Sequence, residues 1–192
     1  MKNIWKFGFF LLLGINLAVV AVVLIAVFMP MEEEPLPSAP KQEEAVEFQI
    51  QSNKEDLNKM ISTYIEKEKK KSGPVDYNVI LRDEVELYGD VQIFSERIGF
   101  KMTFEPQALK NGDVVLKQKG ISLGRMKLPV PYIMKIARDS YNFPEWVNIH
   151  PNDRMIYVSM NKIEIDNDFK VRADRFNLKE DDIQFTLSMP VE

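Results

Sequence analysis

From Phe7 to Met29 the chain runs for 23 residues without a charged side chain, and Asn16 is the only strongly polar one among them. At about 1.5 Å per residue a helix of that length crosses the ~30 Å hydrocarbon core of a bilayer. Hydrocarbon offers a backbone N–H or C=O no partner, so the pattern predicts a transmembrane helix over residues 7–29. A cleaved signal peptide is the alternative. Its apolar stretch would be about 7–15 residues and would end in a small-x-small site, for which Val27-Phe28-Met29-Pro30 is a poor match.

Beyond the apolar run the pattern changes twice. Residues 30–45 hold four prolines and five glutamates and read as an extended, disordered tether. A helix then opens the domain: Ser52 and Glu55 have the spacing of a capping box. Leu57, Met60, Ile61, Tyr64 and Ile65 follow the i, i+3, i+4, i+7, i+8 rhythm of a one-faced helix, and Gly73-Pro74 stops it. That stripe reads as a core face, with a membrane-surface or partner helix as the alternative.

After Pro74 the period falls to two. Val75, Tyr77, Val79 and Leu81 alternate with polar residues, as do Val85, Leu87, Val91 and Ile93, with Gly89 between them as a candidate bulge. Ile98, Phe100, Met102 and Phe104 share one face, and Asn111-Gly112-Asp113 is a turn leading into Val114–Leu123. Further strands are expected over Trp146–Ile149, Met155–Met160 with Ile163 and Ile165 extending or following it, Phe169–Ala173 and Ile183–Met189. Leu128-Pro129-Val130-Pro131 forces an extended approach to a short buried helix, Tyr132–Tyr141, that Pro144 ends. The expected fold is α+β: an N-terminal transmembrane helix, then an antiparallel curved β-sheet packed on one long and one short helix. Residues 46–192 are expected to form a single domain.

Charge sets the expected orientation. Lys2 and Lys6 precede the apolar run, and no Lys or Arg follows it until Lys41. Cytoplasmic flanks collect basic residues, so residues 1–6 should stay inside and residues 30–192 outside the cell membrane. The chain has no cysteine, which removes lipoprotein anchoring, disulfides and thiol chemistry. From residue 46 on, charges of both signs are interspersed, which leaves no footprint for nucleic acid.

Catalytic constellations are missing from the sequence. The single histidine, His150, stands at a strand end and reads as a turn or rim residue; no Gly-x-Ser-x-Gly elbow accompanies it. Gly120-Ile121-Ser122-Leu123-Gly124 is strand with small residues rather than a phosphate cradle. Asp166-Asn167-Asp168 opens like a calcium loop but has Val171 and Asn177 where such a loop needs glycine and glutamate. Glu180-Asp181-Asp182 reads as a solvated loop. No catalytic, cofactor or metal residue is assigned.

What remains is apolar surface. Six or more one-faced strands have only two helices to cover them, and seven methionines (60, 102, 126, 134, 155, 160 and 189) lie in the domain. A sheet wrapped round a long helix would leave a trough for a lipid tail. The alternative is a closed core with methionine as filler.

Several segments together resemble the YpmS family of Gram-positive bacteria. They are Trp5-Lys6 before the anchor, Phe48-Gln49-Ile50, and Lys110-Asn111-Gly112-Asp113 through Lys119. Leu128-Pro129-Val130-Pro131-Tyr132, Pro144-Glu145-Trp146-Val147 and Phe169–Asp174 through Leu178–Ile183 continue the likeness over residues 5–192. The resemblance implies a single-pass protein of the cell envelope and supplies no catalytic residues. At the level of fold alone, the layout also resembles tubular lipid-binding domains. The expected function is a non-enzymatic envelope protein held in the bilayer by residues 7–29, whose exported domain binds a lipid or other amphiphile. The alternative is a tethered protein-interaction module serving an envelope assembly or enzyme, and a hydrolase is a third reading.

Overall fold

The computed structural model describes residues 2–28, 45–72, 77–93, 96–123, 129–163 and 169–190. The tether over 30–44, Gly73-Pro74, Val75, Gly124, Met126, Leu128, Ile165 and Asp166-Asn167-Asp168 lie outside them. The chain divides into two compact units, Met1–Glu32 and Glu33–Glu192.

The first unit is helix α1, Lys2–Phe28. Its Trp5–Ile25 stretch, 21 residues, is long and apolar enough to cross a membrane. Asn16, in the charge-free part of the helix, is satisfied within it, since its Nδ2 donates to the Leu12 carbonyl at 2.9 Å.

The second unit begins with a strand that sequence reasoning missed. β1, Ala45–Ser52, precedes α2, Lys54–Ser72. The remaining elements, in order, are β2 (Tyr77–Leu81), β3 (Val85–Ile93), β4 (Glu96–Ala108), β5 (Val114–Leu123), α3 (Val130–Ser140), β6 (Val147–His150), β7 (Met155–Val158), β8 (Lys170–Asn177) and β9 (Asp182–Pro190). Among the described residues the strands form an antiparallel six-stranded sheet, β2-β3-β4-β5-β7-β6, and an antiparallel three-stranded sheet, β1-β9-β8. The α+β class and the antiparallel meander hold, with the strands shared between two sheets. A backbone bond joins them: Ala173 N–H on β8 donates to the Gly112 carbonyl in the β4–β5 turn at 2.7 Å. Gly112 takes a φ of +87°, and a Cβ there would stand 2.7 Å from Arg172 Cγ, so glycine lets β8 close on the turn.

Because β1 runs to Ser52, that residue is committed to the ladder with Ile183, and the helix cap moves one position on. Asn53 Oδ1 accepts from Asp56 N–H at 2.8 Å, and Asn53 Nδ2 donates back to Asp56 Oδ2 at 2.9 Å. The expected partner Glu55 instead takes Lys59 at 2.8 Å, one turn along. Two further clamps seat α2. Lys54 N–H donates to Asp181 Oδ1 in the β8–β9 turn at 2.7 Å. Asn58 bonds both the N–H and the carbonyl of Leu81, at 2.8 and 2.9 Å, as a strand neighbour would.

Other expectations need correcting. Gly89 is not a bulge; it sits in regular register between Tyr77 and Phe100. The register shifts lie at Lys119 on β5 and Asp174 on β8. Ile163 does not extend β7, because Met160–Lys162 forms a 3-10 turn closed by Ile163 N–H to the Met160 carbonyl. Helix α3 starts at Val130, with Pro131 in the first turn where its missing N–H is no loss. Ile133, Met134 and Ala137 are buried as expected.

Gly89 is glycine for want of space: a Cβ there would lie 2.7 Å from both Phe100 Cε1 and Tyr141 Oη. That hydroxyl donates to the Asp90 carbonyl and accepts from Asp90 N–H, so it cannot move away freely. Gly89→Ala should destabilise the unit by about 1–3 kcal/mol through overpacking. Gly99→Ala, where the nearest atom is Asp90 Oδ1 at 3.3 Å, should change it by less than about 0.5 kcal/mol. Urea unfolding of the two variants beside the parent checks the contrast.

Candidate functional site

The one-faced stripe of α2 joins the core through buried Ile65, with Leu57 and Ile61 packed against it, and it also borders an apolar cavity. Leu57, Met60, Ile61, Tyr64 and Ile65 form one wall of a cavity of about 320 Å³. The six-stranded sheet supplies a second wall, with Leu116 of β5 and Ile156 of β7 among its side chains. Phe176 of β8 and Phe185 of β9, edge to face with centroids 6.1 Å apart, close the side toward the smaller sheet. Among the described residues no charged side chain lines the cavity. At its margin Met60 is 64% exposed and Tyr64 37% exposed, with the Tyr64 ring edge-on to Trp146 at 5.8 Å.

The methionines divide according to place. Met60 and Met160 line the cavity, whereas Met102 and Met134 are sealed in the close-packed core. Filler and adaptable surface therefore coexist, and the period of the sequence could not separate them.

The polar residues singled out from sequence occupy other places. His150 ends β6 and is buried rather than lying on a rim. The Glu180-Asp181-Asp182 segment does structural work instead of merely facing solvent. Glu180 accepts from Asn177 Nδ2, Asp181 holds the start of α2, and Asp182 pairs with Arg175. Gly120–Leu123 is part of β5, as expected. Among the described residues no group of three or more metal-ligating side chains comes together.

Two polar clusters were not legible beforehand. On the sheet face away from the cavity, Glu86 accepts from Lys101 Nζ at 2.8 Å and from the Tyr88 hydroxyl. The Lys101 bond, then the Tyr88 bond, holds the Glu86 carboxyl below its ordinary value. A carboxyl kept ionised this way is a poor proton donor. The second cluster is buried beneath the β4–β5 turn. Asp113 accepts from Met160 N–H at 2.8 Å and from the Tyr157 hydroxyl, while Asn111 Nδ2 donates to both Asp113 and Tyr157 at 2.8 Å. Only the turn half of this cluster, Asn111-Gly112-Asp113, carried a sequence signal.

Burial, and then the neighbouring Asp113, push the Tyr157 hydroxyl up to about 12 from its ordinary 10. Because the folded value lies above the unfolded one, this stabilisation is complete below pH 10 and lost as pH rises toward 12. An ultraviolet absorbance titration should show a late tyrosine step that Tyr157→Phe removes. The same variant strips Asp113 of a donor and should lower unfolding stability by about 1–3 kcal/mol near neutral pH.

The chain matches a family model described as "Uncharacterized protein conserved in bacteria (DUF2140)" over residues 3–189. It is 34% identical over 188 residues to "Uncharacterized protein YpmS" of Bacillus subtilis (strain 168), covering 98% of each chain. No solved structure matches it. The match runs over nearly the whole chain, and on this ground the chain belongs to the YpmS family.

Proposed function

We propose that this protein is a non-enzymatic module of the bacterial cell envelope, anchored by α1, whose second unit takes up the acyl chain of a lipid or similar amphiphile. The observation that carries this reading is the cavity of about 320 Å³, whose wall has no charged side chain among the described residues. Its size falls in the ~300–1,000 Å³ range of small-molecule sites, but such sites usually present a few polar groups that orient the ligand. A wall without charge selects an alkyl chain over a polar metabolite. Each methylene buried contributes about 0.8 kcal/mol, so ten would supply about 8 kcal/mol before ordering costs. Undiminished, that would correspond to a Kd of about 1 μM, and the ordering costs weaken it from there.

The anchor fixes where the unit works. Lys2 and Lys6 hold the N-terminus in the cytoplasm, α1 spans uncleaved, and residues from Glu32 onward are outside. Protease added to intact protoplasts should then degrade residues 45–192 and leave Lys6 attached to the apolar helix. Replacing both lysines with glutamate should weaken or invert the orientation. A mature N-terminus near Met31, or a globular unit protected until lysis, overturns the assignment.

A diazirine-bearing fatty acid fed to cells expressing the full chain tests the ligand. On irradiation it should label peptides from α2 and from β5 through β7. Leu116→Trp, which fills the cavity, should abolish that labelling while the cooperative melt of the unit persists. Labelling confined to α1 would mean that the probe reports only the surrounding bilayer, and the acyl-chain reading would fall.

A further inference from the structure

The apolar surface of the second unit continues beyond the cavity. On β1, Val46, Phe48 and Ile50 alternate with Glu47, Gln49 and Gln51, and the three apolar residues are 42%, 48% and 42% exposed. Their ladder partners are Met189, Leu187 and Phe185, and paired residues of antiparallel strands share a face. Phe185 is itself part of the cavity wall. An exposed apolar strip therefore leads from the edge strand β1 to the cavity, and no charged residue interrupts the six positions. Sheet edges are normally blunted with charge on exposed positions, and contiguous apolar patches are normally covered.

Three features select what covers this one. β1 is the first strand after α1, separated from Phe28 by 16 residues. At no more than ~3.6 Å each, those residues keep Ala45 within about 60 Å of the end of the membrane helix. The strip joins a cavity whose described lining is uncharged, as a path for an alkyl chain requires. And the opposite side of β1 is polar, with Glu47, Gln49 and Gln51, which gives the strand the two-sided character of an interfacial element.

We propose that the Val46–Phe48–Ile50 face of β1 seats on the lipid bilayer and forms the doorway through which an acyl chain reaches the cavity. This rests on the acyl-chain reading above. The occupant is the membrane surface, not a second copy of the chain and not another protein.

The chain has no cysteine, so a single introduced one is a unique label site. Phe48→Cys, Gln49→Cys and Asp153→Cys, each in the full chain, would carry an environment-sensitive fluorophore. They would be reconstituted in phosphatidylglycerol–phosphatidylethanolamine vesicles containing nitroxide-labelled lipid. Quenching at position 48 should exceed that at 49 and 153 several-fold. Val46→Cys and Ile50→Cys carry the same expectation and replace Phe48→Cys if that variant misfolds.

Equal, weak quenching at 48 and 49 overturns the proposal. So does energy transfer between labels at 48 that survives dilution of the protein in lipid, which would make the occupant a second copy. Protection of 48 in native membranes but not in the vesicles would make it another protein, and also overturns it. The two readings separate cleanly. Photolabelling inside the cavity with position 48 left in water removes the doorway alone, whereas quenching at 48 without cavity labelling removes the acyl-chain reading.

Discussion

Helix α2 is seated by polar clamps as well as by its apolar stripe, and everything around the cavity depends on where those clamps hold it. Asp181 fixes the first turn of the helix to the β8–β9 hairpin, and Asn58 fixes its second turn to the backbone of β2. The two attachments belong to different sheets, so the helix bridges them and its spacing is set by hydrogen bonds of fixed length. Within the stripe, Ile65 reaches the core and Leu57 and Ile61 pack against it, while Met60 and Tyr64 stay at the exposed margin of the cavity.

The joint between the sheets obeys the same logic. β8 reaches the six-stranded sheet through a short backbone bond to Gly112, and that turn is kept in shape from beneath by Asp113. The Asp113 carboxylate is buried among neutral donors, Tyr157, Asn111 and the Met160 amide. Each donor comes from an element that must be in place for the sheets to meet: the turn itself, β7 and the 3-10 turn after it. A buried carboxylate is tolerated only when such donors are supplied, so its satisfaction couples the turn to β7 and to the side of the cavity lined by Met160.

Periodicity carried the long strands and both helices of the globular unit, because period two and period 3.6 are local properties of the chain. It failed where the deciding partner was distant. Val46, Phe48 and Ile50 alternate as plainly as Ile98, Phe100, Met102 and Phe104. They adjoin a Pro/Glu tether, though, and their partner strand is at the far end of the sequence, from Ile183 to Pro190. Placing β1 there moved the cap from Ser52 to Asn53 and gave Asp181 a helix to hold. Gly89 looked like a bulge because a glycine in a strand usually marks a local irregularity; the cause was Tyr141 and Phe100 pressing from other elements. The cavity was harder still. Alternation tells which face of an element is apolar, but not whether two such faces touch or stand apart.

If the cavity holds an acyl chain, the membrane is its competitor. A methylene leaving water gains about the same free energy in bilayer hydrocarbon as in a protein pocket. The exchange from one to the other is then nearly neutral for the chain, and its balance falls to shape and to whatever holds the headgroup. Tyr64 and Trp146 at the margin offer aromatic faces and edges but no fixed charge. Nothing in this wall would trap a lipid far more tightly than the bilayer does. On that reading occupancy follows the local supply of free or loosely packed chains, and exchange is reversible. A tethered domain with these properties is suited to sampling the membrane surface rather than to storing a ligand removed from it.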